Sequence, residues 1–483
     1  MRIFCAANEF EVKDGIVETY QNISFSVEVV SQSQIELWER NAIKGGLHPP
    51  MPIEQDIDLK LLGQGGRIVC GVFSLTKELV ACDSKVCGLH AGPTCQEGWM
   101  DDHPPPPTPS FINLDGQAKR VCIIYDKKML KHAHPCDAKH VEKPERIQSI
   151  YNSFEKGGVL DRCTVYTSMK AKMEHIEAVH EEAYIQRILS PDRKQKQSMN
   201  NRDMYYSDGT AEAVLLAAGG AVKACKMVAS GEFQAALAVI RPPGHHAKTA
   251  KESGFCFFNN IAIAARYLQS QHGLKRILLV DWDYHHGDGT QEIFYGDRSV
   301  LFISVHRYGS NIFPKSSGTE IEIGRDEGVG FNCNVCWREG GEGDDDLYAV
   351  WDHVVMPLAQ SFNPEIILVS GGFDAAFADA LGDCKVTAKG FATVLSKLMK
   401  LEIGIVLALE GGYNLDRLGE CALACAKVLL GDSSNIEDTN LCVHQRPLGK
   451  VYRRNELKQY WPCMELDIPN EVLRRRRCKP PED

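Results

Sequence analysis

Between residues 120 and 431, short apolar runs alternate with longer stretches of helical spacing, and this alternation restricts the fold more than any other feature of the chain. The apolar runs are Val121 to Tyr125, Ala235 to Ile240, Ile277 to Val280, Val300 to Val305, Ile366 to Val369 and Gly404 to Leu409. Unbroken apolar character over so few residues marks strands buried on both faces. Helical patterns fall at Pro144 to Lys156, Met173 to Leu189, Thr210 to Ala229, Asn260 to Gln271, Leu347 to Gln360, Ala388 to Lys400 and Leu415 to Leu430. The expected fold class is α/β, with an open, mostly parallel β-sheet and helices on both faces.

Open parallel sheets bind ligands beyond the carboxyl ends of their strands, so the residues that follow each apolar run carry the information. Here they are Arg241-Pro-Pro-Gly-His245-His246, then Asp281-Trp-Asp283-Tyr-His285-His286 with Asp288 close behind, then His306, then Ser370-Gly-Gly-Phe-Asp374, then Glu410-Gly-Gly-Tyr413. Strand after strand delivers imidazole, carboxylate or phenol to one rim, which implies a single site. If the backbone stays extended past Val280, its two-residue period puts Asp281, Asp283 and His285 on one side and His286 on the other. Asp283, His285 and Asp374 would then give a metal three protein ligands and leave a position for water and substrate. Zinc is the first expectation, although an oxygen-rich set also suits Fe(II) or Co(II). Such an ion lowers the pKa of bound water and polarises a carbonyl. Proton transfer falls to His245 and His246, with Asp281 and Asp288 orienting the two rings. Tyr413 is suited to donate to a developing oxyanion. The set suggests metal-assisted hydrolysis of an amide.

The rest of the chain bounds this reading. A length of 483 residues is enough for two or three units of ordinary domain size. Hydrophobic residues at 44% and charged residues at 24% exclude disorder for most of the chain. The net charge of −10 supplies no general attraction to nucleic acid, so direct DNA binding is not expected. No apolar run approaches the roughly 18 residues of a membrane span, and the start MRIFCAANEFEV lacks signal architecture, so a soluble intracellular protein is expected. The 18 cysteines are scattered, and several, such as Cys225, Cys256, Cys421 and Cys425, fall inside apolar patterns, as reduced packing residues do.

Four regions are expected. Residues 1–102 read as a small β-rich N-terminal module of unknown role, with alternating strands around Ile23 to Val29 and Arg67 to Leu75. Cys70, Cys82, Cys87 and Cys95 within it match no paired zinc-ligand spacing. Residues 103–118 contain the stiff segment HPPPPTPS and read as a linker. Residues 119–431 form the catalytic domain. Residues 432–483 read as a polar, mobile extension ending in Arg474, Arg475, Arg476, Arg477 and Lys479, which suits nuclear import, an acidic partner or, equally, a solvated basic end without function.

The segments RPPGHHA, GFCFFNN, DWDYHHGDGTQ, SVHRYGSNIFP, SGGFDAA and LEGGYNL, in order over residues 119 to 430, resemble the signature run of the zinc-dependent histone deacetylases. The class II branch and its plant members are the most similar, and the arginase/deacetylase fold is what the resemblance implies. It further implies one catalytic Zn2+ on Asp283, His285 and Asp374, His246 as general base and acid, His245 as its electrostatic partner, Asp281 and Asp288 behind the histidines, and Tyr413 polarising the carbonyl. Gly254, Phe255, Phe313 and Leu381 match the walls and mouth of an acyl-lysine tunnel, and Asp203 matches a rim carboxylate that grips substrate backbone. Asp281, Asp283, His285, Ser304 and Val305 match a family potassium (K+) site. The implied substrates are acetylated histone tails or other acetyl-lysine proteins, the implied partners corepressor complexes acting on chromatin, and the implied residence the nucleus and cytoplasm.

Departures from the family pattern are confined to a few positions. Gly371 replaces an alanine, Asp288 replaces the asparagine of most class II relatives, and Cys336 replaces a proline, creating Cys333-x-x-Cys336. The rim loop Phe377-Ala-Asp-Ala-Leu-Gly-Asp383 lacks a proline and two glycines that the family carries, which predicts a looser or reshaped rim. Two alternatives follow: an acetylpolyamine deacetylase, and a catalytically weak corepressor scaffold.

Overall fold

The computed structural model describes residues 121–137, 139–200, 203–432 and 455–465, with the backbone of 3–4, 24–27, 52–53 and 70–74. Two compact units result, Met1–Asp102 and His103–Asp483. In the first, β1 (Ile3–Phe4) pairs antiparallel with β3 (Pro52–Ile53), and β2 (Ser24–Val27) pairs antiparallel with β4 (Cys70–Ser74). The two alternating stretches of that unit therefore meet in one ladder. Cys82, Cys87, Cys95, the segment 103–118 and the basic end Arg474 to Lys479 lie outside the described residues.

The second unit is built on an eight-stranded sheet: β5 (Val121–Tyr125), β6 (Thr164–Tyr166), β7 (Ala235–Val239), β8 (Ile277–Asp281), β9 (Val300–Arg307), β10 (Asn332–Trp337), β11 (Ile366–Gly371) and β12 (Ile405–Leu409). The order across the sheet is β10-β9-β8-β11-β12-β7-β5-β6, and every pairing is parallel. Helices cover both faces. One group joins 145–156, 415–429, 388–399 and 344–350, and the other joins 173–177, 210–229, 260–272 and 288–294. Every side chain of the central run Ile277 to Val280 is fully buried, as an apolar strand between two helix layers must be. Local caps set the helix starts: Asn259 accepts from Ala262 N, Thr387 from Gly390 N and Asn414 from Arg417 N.

Register brings the chemistry to one level. Asp281 stands opposite Ser370 on one side and Ser304 on the other, and Gly371 stands opposite Leu409. The loops after β8, β11 and β12 therefore leave the sheet at nearly the same height.

Three expectations are corrected here. The single helix predicted over Met173 to Leu189 is two, Met173–Glu177 and Glu182–Leu189. Between them Glu181 N donates to Thr249 O at 3.0 Å and His180 Nδ1 lies 3.0 Å from Lys248 O, so tertiary hydrogen bonds outcompete continuation of the helix. The pattern from Leu347 to Gln360 is interrupted by a π turn at Trp351–Val355. The expectation of a mobile extension past Gly431 fails for residues 455–465, which pack onto the body of the second unit. Trp461, 5% exposed, donates its indole N–H to Gly330 O at 2.6 Å and lies edge-on to Phe331 and Phe362 at 5.5 and 6.2 Å. Trp461→Ala should therefore destabilise the protein by about 3–5 kcal/mol, the usual range for emptying a buried aromatic site. Denaturant unfolding checks this, and an unchanged midpoint would remove the segment from the cooperative unit.

Candidate active site

The strand β8 ends at Asp281, and the extended geometry expected beyond it does not persist. Instead Asp281 Oδ1 accepts Asp283 N at 3.1 Å and Asp283 Oδ1 accepts His285 N at 2.9 Å, two successive side-chain turns that curl the chain back on itself. The curl, rather than a two-residue period, brings Asp283 and His285 to Asp374 from the loop after β11. One ligand atom from each of Asp283, His285 and Asp374 lies within 4.8 Å of the others, the one such cluster among the described residues. His285 Nδ1 lies 2.9 Å from Asp374 Oδ2 and 3.4 Å from Asp283 Oδ1. Two backbones close in from the side. A Cβ on Gly372 would stand 1.9 Å from Asp283 Oδ2, and one on Gly411 would stand 2.5 Å from both Asp283 Oδ2 and Asp374 Oδ2.

The electrostatics of this cluster fit a divalent cation. Asp283 and Asp374 are 1% and 0% exposed. Burial, then the charge of Asp283, pushes Asp374 up to about 7. Burial would raise Asp283 too, but the imidazoles of His245 and His285 outweigh it and hold the group below the ordinary carboxylate range. Burial opposes the charge on His285, yet the two carboxylates raise it to about 9. A buried pair of like charges demands a compensating positive charge, and two carboxylates with one imidazole are a donor set that zinc accepts.

His245 and His246 follow β7 with ring centroids 3.9 Å apart. Each presents Nδ1 to a carboxylate: His245 to Asp281 Oδ2 at 3.0 Å and His246 to Asp288 Oδ1 at 2.9 Å. That leaves Nε2 as the nitrogen for proton transfer. Their environments drive them apart. Burial and the neighbouring His245 hold His246 down to about 4, whereas for His245 the charges of Asp283 and Asp281 overcome burial and raise it well above the usual imidazole value. A neutral base beside a charged partner results.

Tyr413 stands across the site, 8% exposed, with its ring edge-on to Phe255 at 5.6 Å and the Arg146 guanidinium 5.0 Å from its centre. Burial first, opposed by Arg146 and reinforced by Asp374 and Asp283, keeps the phenol protonated and able to donate. Phe313 lies edge-on to His246 at 4.9 Å, and Gly254, at φ +52°, passes so close that a Cβ would meet His246 at 2.4 Å and Phe313 at 2.9 Å. Phe255 N donates to Met204 Sδ at 3.2 Å, and the exposed Asp203 directly precedes Met204 in the chain. Leu381 is 41% exposed in the loop that follows Asp374.

His286 and His306 stay outside this group. Their rings are 4.5 Å apart, and they bond to Gln291 and Ser317 and to Gly318 O and Ser304 respectively, as buried structural imidazoles. Ser304 thus spends its hydroxyl on His306, beside the buried Val305. A second layer escaped sequence reasoning. Glu142, fully buried, pairs with Arg241 at 2.7 Å and Arg146 at 3.2 Å, while Arg146 also donates to Gly412 O at 2.7 Å and to Glu410 O. Glu410 Oε2 accepts Gly244 N at 2.6 Å and His245 N at 3.1 Å, bolting the histidine loop to the tyrosine loop. No local pattern announces these partners, since Glu142 and Arg241 are 99 residues apart and Arg146 and Gly412 are 266 apart.

Residues 140–429 match the family described as the histone deacetylase domain. The chain belongs to the histone deacetylase family. It is 42% identical to histone deacetylase 5 of Arabidopsis thaliana over 75% of its own length and 57% of the relative's. It is 37% identical to human histone deacetylase 7 over 71% of its own length and 40% of the relative's. The chain spans about half the length of the curated relatives it matches. Among solved structures, the HDA15 HD domain superposes with a TM-score of 0.66 at 35% identity, covering 72% of this chain and 96% of that one. The plant-like class II resemblance and the deacetylase fold are therefore findings.

Against the family pattern, the departures acquire physical reasons. A Cβ at Gly371 would meet Leu407 Cδ2 at 2.7 Å, so glycine goes with a leucine that fills the space. Asp288 carries a charge that Lys248 neutralises at 3.4 Å. Cys333 and Cys336 are free, buried thiols, and burial pushes Cys333 up to about 12 and Cys336 higher, so the pair packs instead of cycling. The rim loop is not left loose. Asp379 accepts three backbone N–H groups, and Asp383 Oδ1 takes Arg307 Nε at 2.9 Å and the Tyr284 hydroxyl at 3.1 Å.

Proposed function

We propose that this protein is a zinc-dependent lysine deacetylase that hydrolyses N6-acetyl-lysine in histones or other proteins, releasing acetate. The observation that carries the reading is the convergence of Asp283, His285 and Asp374 beside a neutral His246 and a protonated Tyr413. When bound to the three ligands, the ion supplies Lewis acidity toward the acetyl carbonyl and a more acidic water. His246 Nε2 takes the proton of the attacking water and later gives it to the departing lysine amine. Asp288 holds that ring in the tautomer the transfer needs, and the charge on His245 keeps it neutral beforehand. The Tyr413 hydroxyl donates to the carbonyl oxygen as negative charge grows there. Gly254, Phe255, Phe313 and Leu381 enclose the neutral alkyl stem, and Asp203 holds the peptide backbone. Potassium at Asp281, Asp283, His285, Ser304 and Val305, action on chromatin with corepressor complexes, and residence in the nucleus and cytoplasm belong to the same proposal and rest on the family resemblance.

Substrate choice supplies the test. An acetylpolyamine carries further ammonium groups, which favour a free carboxylate at the tunnel mouth. Leu381 offers none, and the nearby Asp379 and Asp383 are engaged by backbone amides, Arg307 and Tyr284. The purified protein should hydrolyse acetyl-lysine peptides in preference to acetylspermidine. Leu381→Glu should move relative kcat/KM toward acetylspermidine by about tenfold, the worth of one partly screened opposite charge. A parental preference for acetylspermidine, or no turnover of either substrate, would overturn the reading.

A further inference from the structure

We propose that Asp379 is the positioning residue for Tyr413, holding the tyrosine loop in the conformation that aims the phenol into the acyl-lysine tunnel. The inference rests on the deacetylase reading, because that reading gives Tyr413 its task. Asp379 Oδ2 accepts the backbone N–H of Tyr413 at 2.7 Å and that of Asn414 at 3.0 Å. Its Oδ1 accepts Leu381 N–H at 2.9 Å, which folds the rim loop around the carboxylate. Asn414 returns the connection by donating its side-chain amide to Ala378 O at 2.8 Å. Ala378 sits at φ +62°, a left-handed conformation that a residue with a Cβ keeps only where its surroundings enforce it. The two loops, 35 residues apart at Asp379 and Asn414, are thereby joined at three hydrogen bonds.

Helix electrostatics favour the same arrangement. Asn414 caps the helix Leu415–Leu429, so the Asp379 carboxylate lies at the positive end of a 15-residue helix and accepts N–H groups that no helical carbonyl reaches. Other contacts act on the ring of Tyr413, namely Arg146 on its face and Phe255 at its edge, and Arg146 also grips the carbonyls of Glu410 and Gly412. Asp379 alone among these holds the N–H groups of Tyr413 and Asn414 themselves. The phenol oxygen lies at the far end of the side chain, so a small rotation of the Tyr413 backbone becomes a large displacement at the reacting carbonyl. Misplacement by about 1 Å is enough to cost about 100-fold in rate.

A double-mutant cycle on the metal-loaded full chain separates positioning from general loop stability. Asp379→Ala should lower kcat on an acetyl-lysine peptide by about 10- to 100-fold with KM changed by less than about twofold. In a Tyr413→Phe background, where the phenol is already gone, the same change should lower kcat by no more than about twofold. Asp379→Asn, which keeps one oxygen for the Tyr413 and Asn414 amides, should recover most of the loss. Amide hydrogen exchange over residues 411–416, read in parallel, should accelerate at least about tenfold in Asp379→Ala. Equal losses in both backgrounds, or unchanged exchange over 411–416, would overturn the inference. A parent protein that hydrolyses no acetyl-lysine peptide would defeat the deacetylase reading alone, because the exchange measurement still reports whether Asp379 holds the loop.

Discussion

Asp374→Asn should fold, lose its divalent metal and turn over acetyl-lysine peptides at least about 100-fold more slowly, since removing a ligand costs no less than removing a group that merely orients one. The fold survives because the asparagine oxygen still accepts Tyr284 N, a bond of 2.7 Å in the parent. What disappears is the carboxylate oxygen 2.9 Å from His285 Nδ1. Metal analysis alongside turnover decides the matter, and full metal occupancy in the variant would remove Asp374 from the ligand set. Metal-free protein carries a second signature. Between the ordinary carboxylate value of 3.8 and about 7, native Asp374 keeps a proton that the unfolded chain has released. The native state then binds more protons than the unfolded state, so this group's contribution to stability falls as pH rises through that window. The asparagine variant should lack this component of the slope in unfolding measured with chelator at pH 4 to 7.

His246→Ala should lower turnover by at least the roughly 100-fold typical of losing a general acid or base, while metal content stays at the parental level. The two outcomes belong together because His246 lies outside the Asp283, His285 and Asp374 cluster: its Nδ1 is held by Asp288, and its ring centroid lies 6.0 Å from that of His285. Loss of metal in this variant would move His246 into the cluster. Parental rates with metal intact would send the proton by another route.

Six of the seven buried strands of the large sheet were legible, with their reactive ends, because each obeys a local rule; β10 is just as buried but carries two asparagines and offers no apolar run. An apolar run between two helix layers has no polar residue to hide, and whatever follows it must face the rim. The strand β6 obeys no such rule, as its residues Thr164–Tyr166 are only partly buried at the sheet edge. The break at Ala178 to Glu181 was invisible because its cause, the carbonyls of Lys248 and Thr249, lies far along the chain. The convergence of Asp283, His285 and Asp374 was read correctly for the wrong geometric reason, since side-chain turns replace the extended backbone. For the rim loop, missing proline and glycine left looser and reshaped as alternatives, and a sequence does not disclose that Asp383 meets Arg307, 76 residues earlier, or that Asp379 meets Tyr413, which argues against looseness.

Glu410 gives the site a division of labour. By receiving Gly244 and His245 on its side chain and Arg146 on its carbonyl, it makes the proton-transfer segment and the tyrosine segment parts of one frame. The residues proposed to meet the outer part of a substrate, Asp203, Phe313 and Leu381, belong to other segments, and Phe313 and Leu381 are more than a third exposed. Phe313 stands on the flank of this frame, whereas Leu381 is tied into it, because its loop holds Tyr413 through Asp379. A substitution at Phe313 therefore alters the mouth alone, whereas one in the 377–383 loop reaches the tyrosine as well.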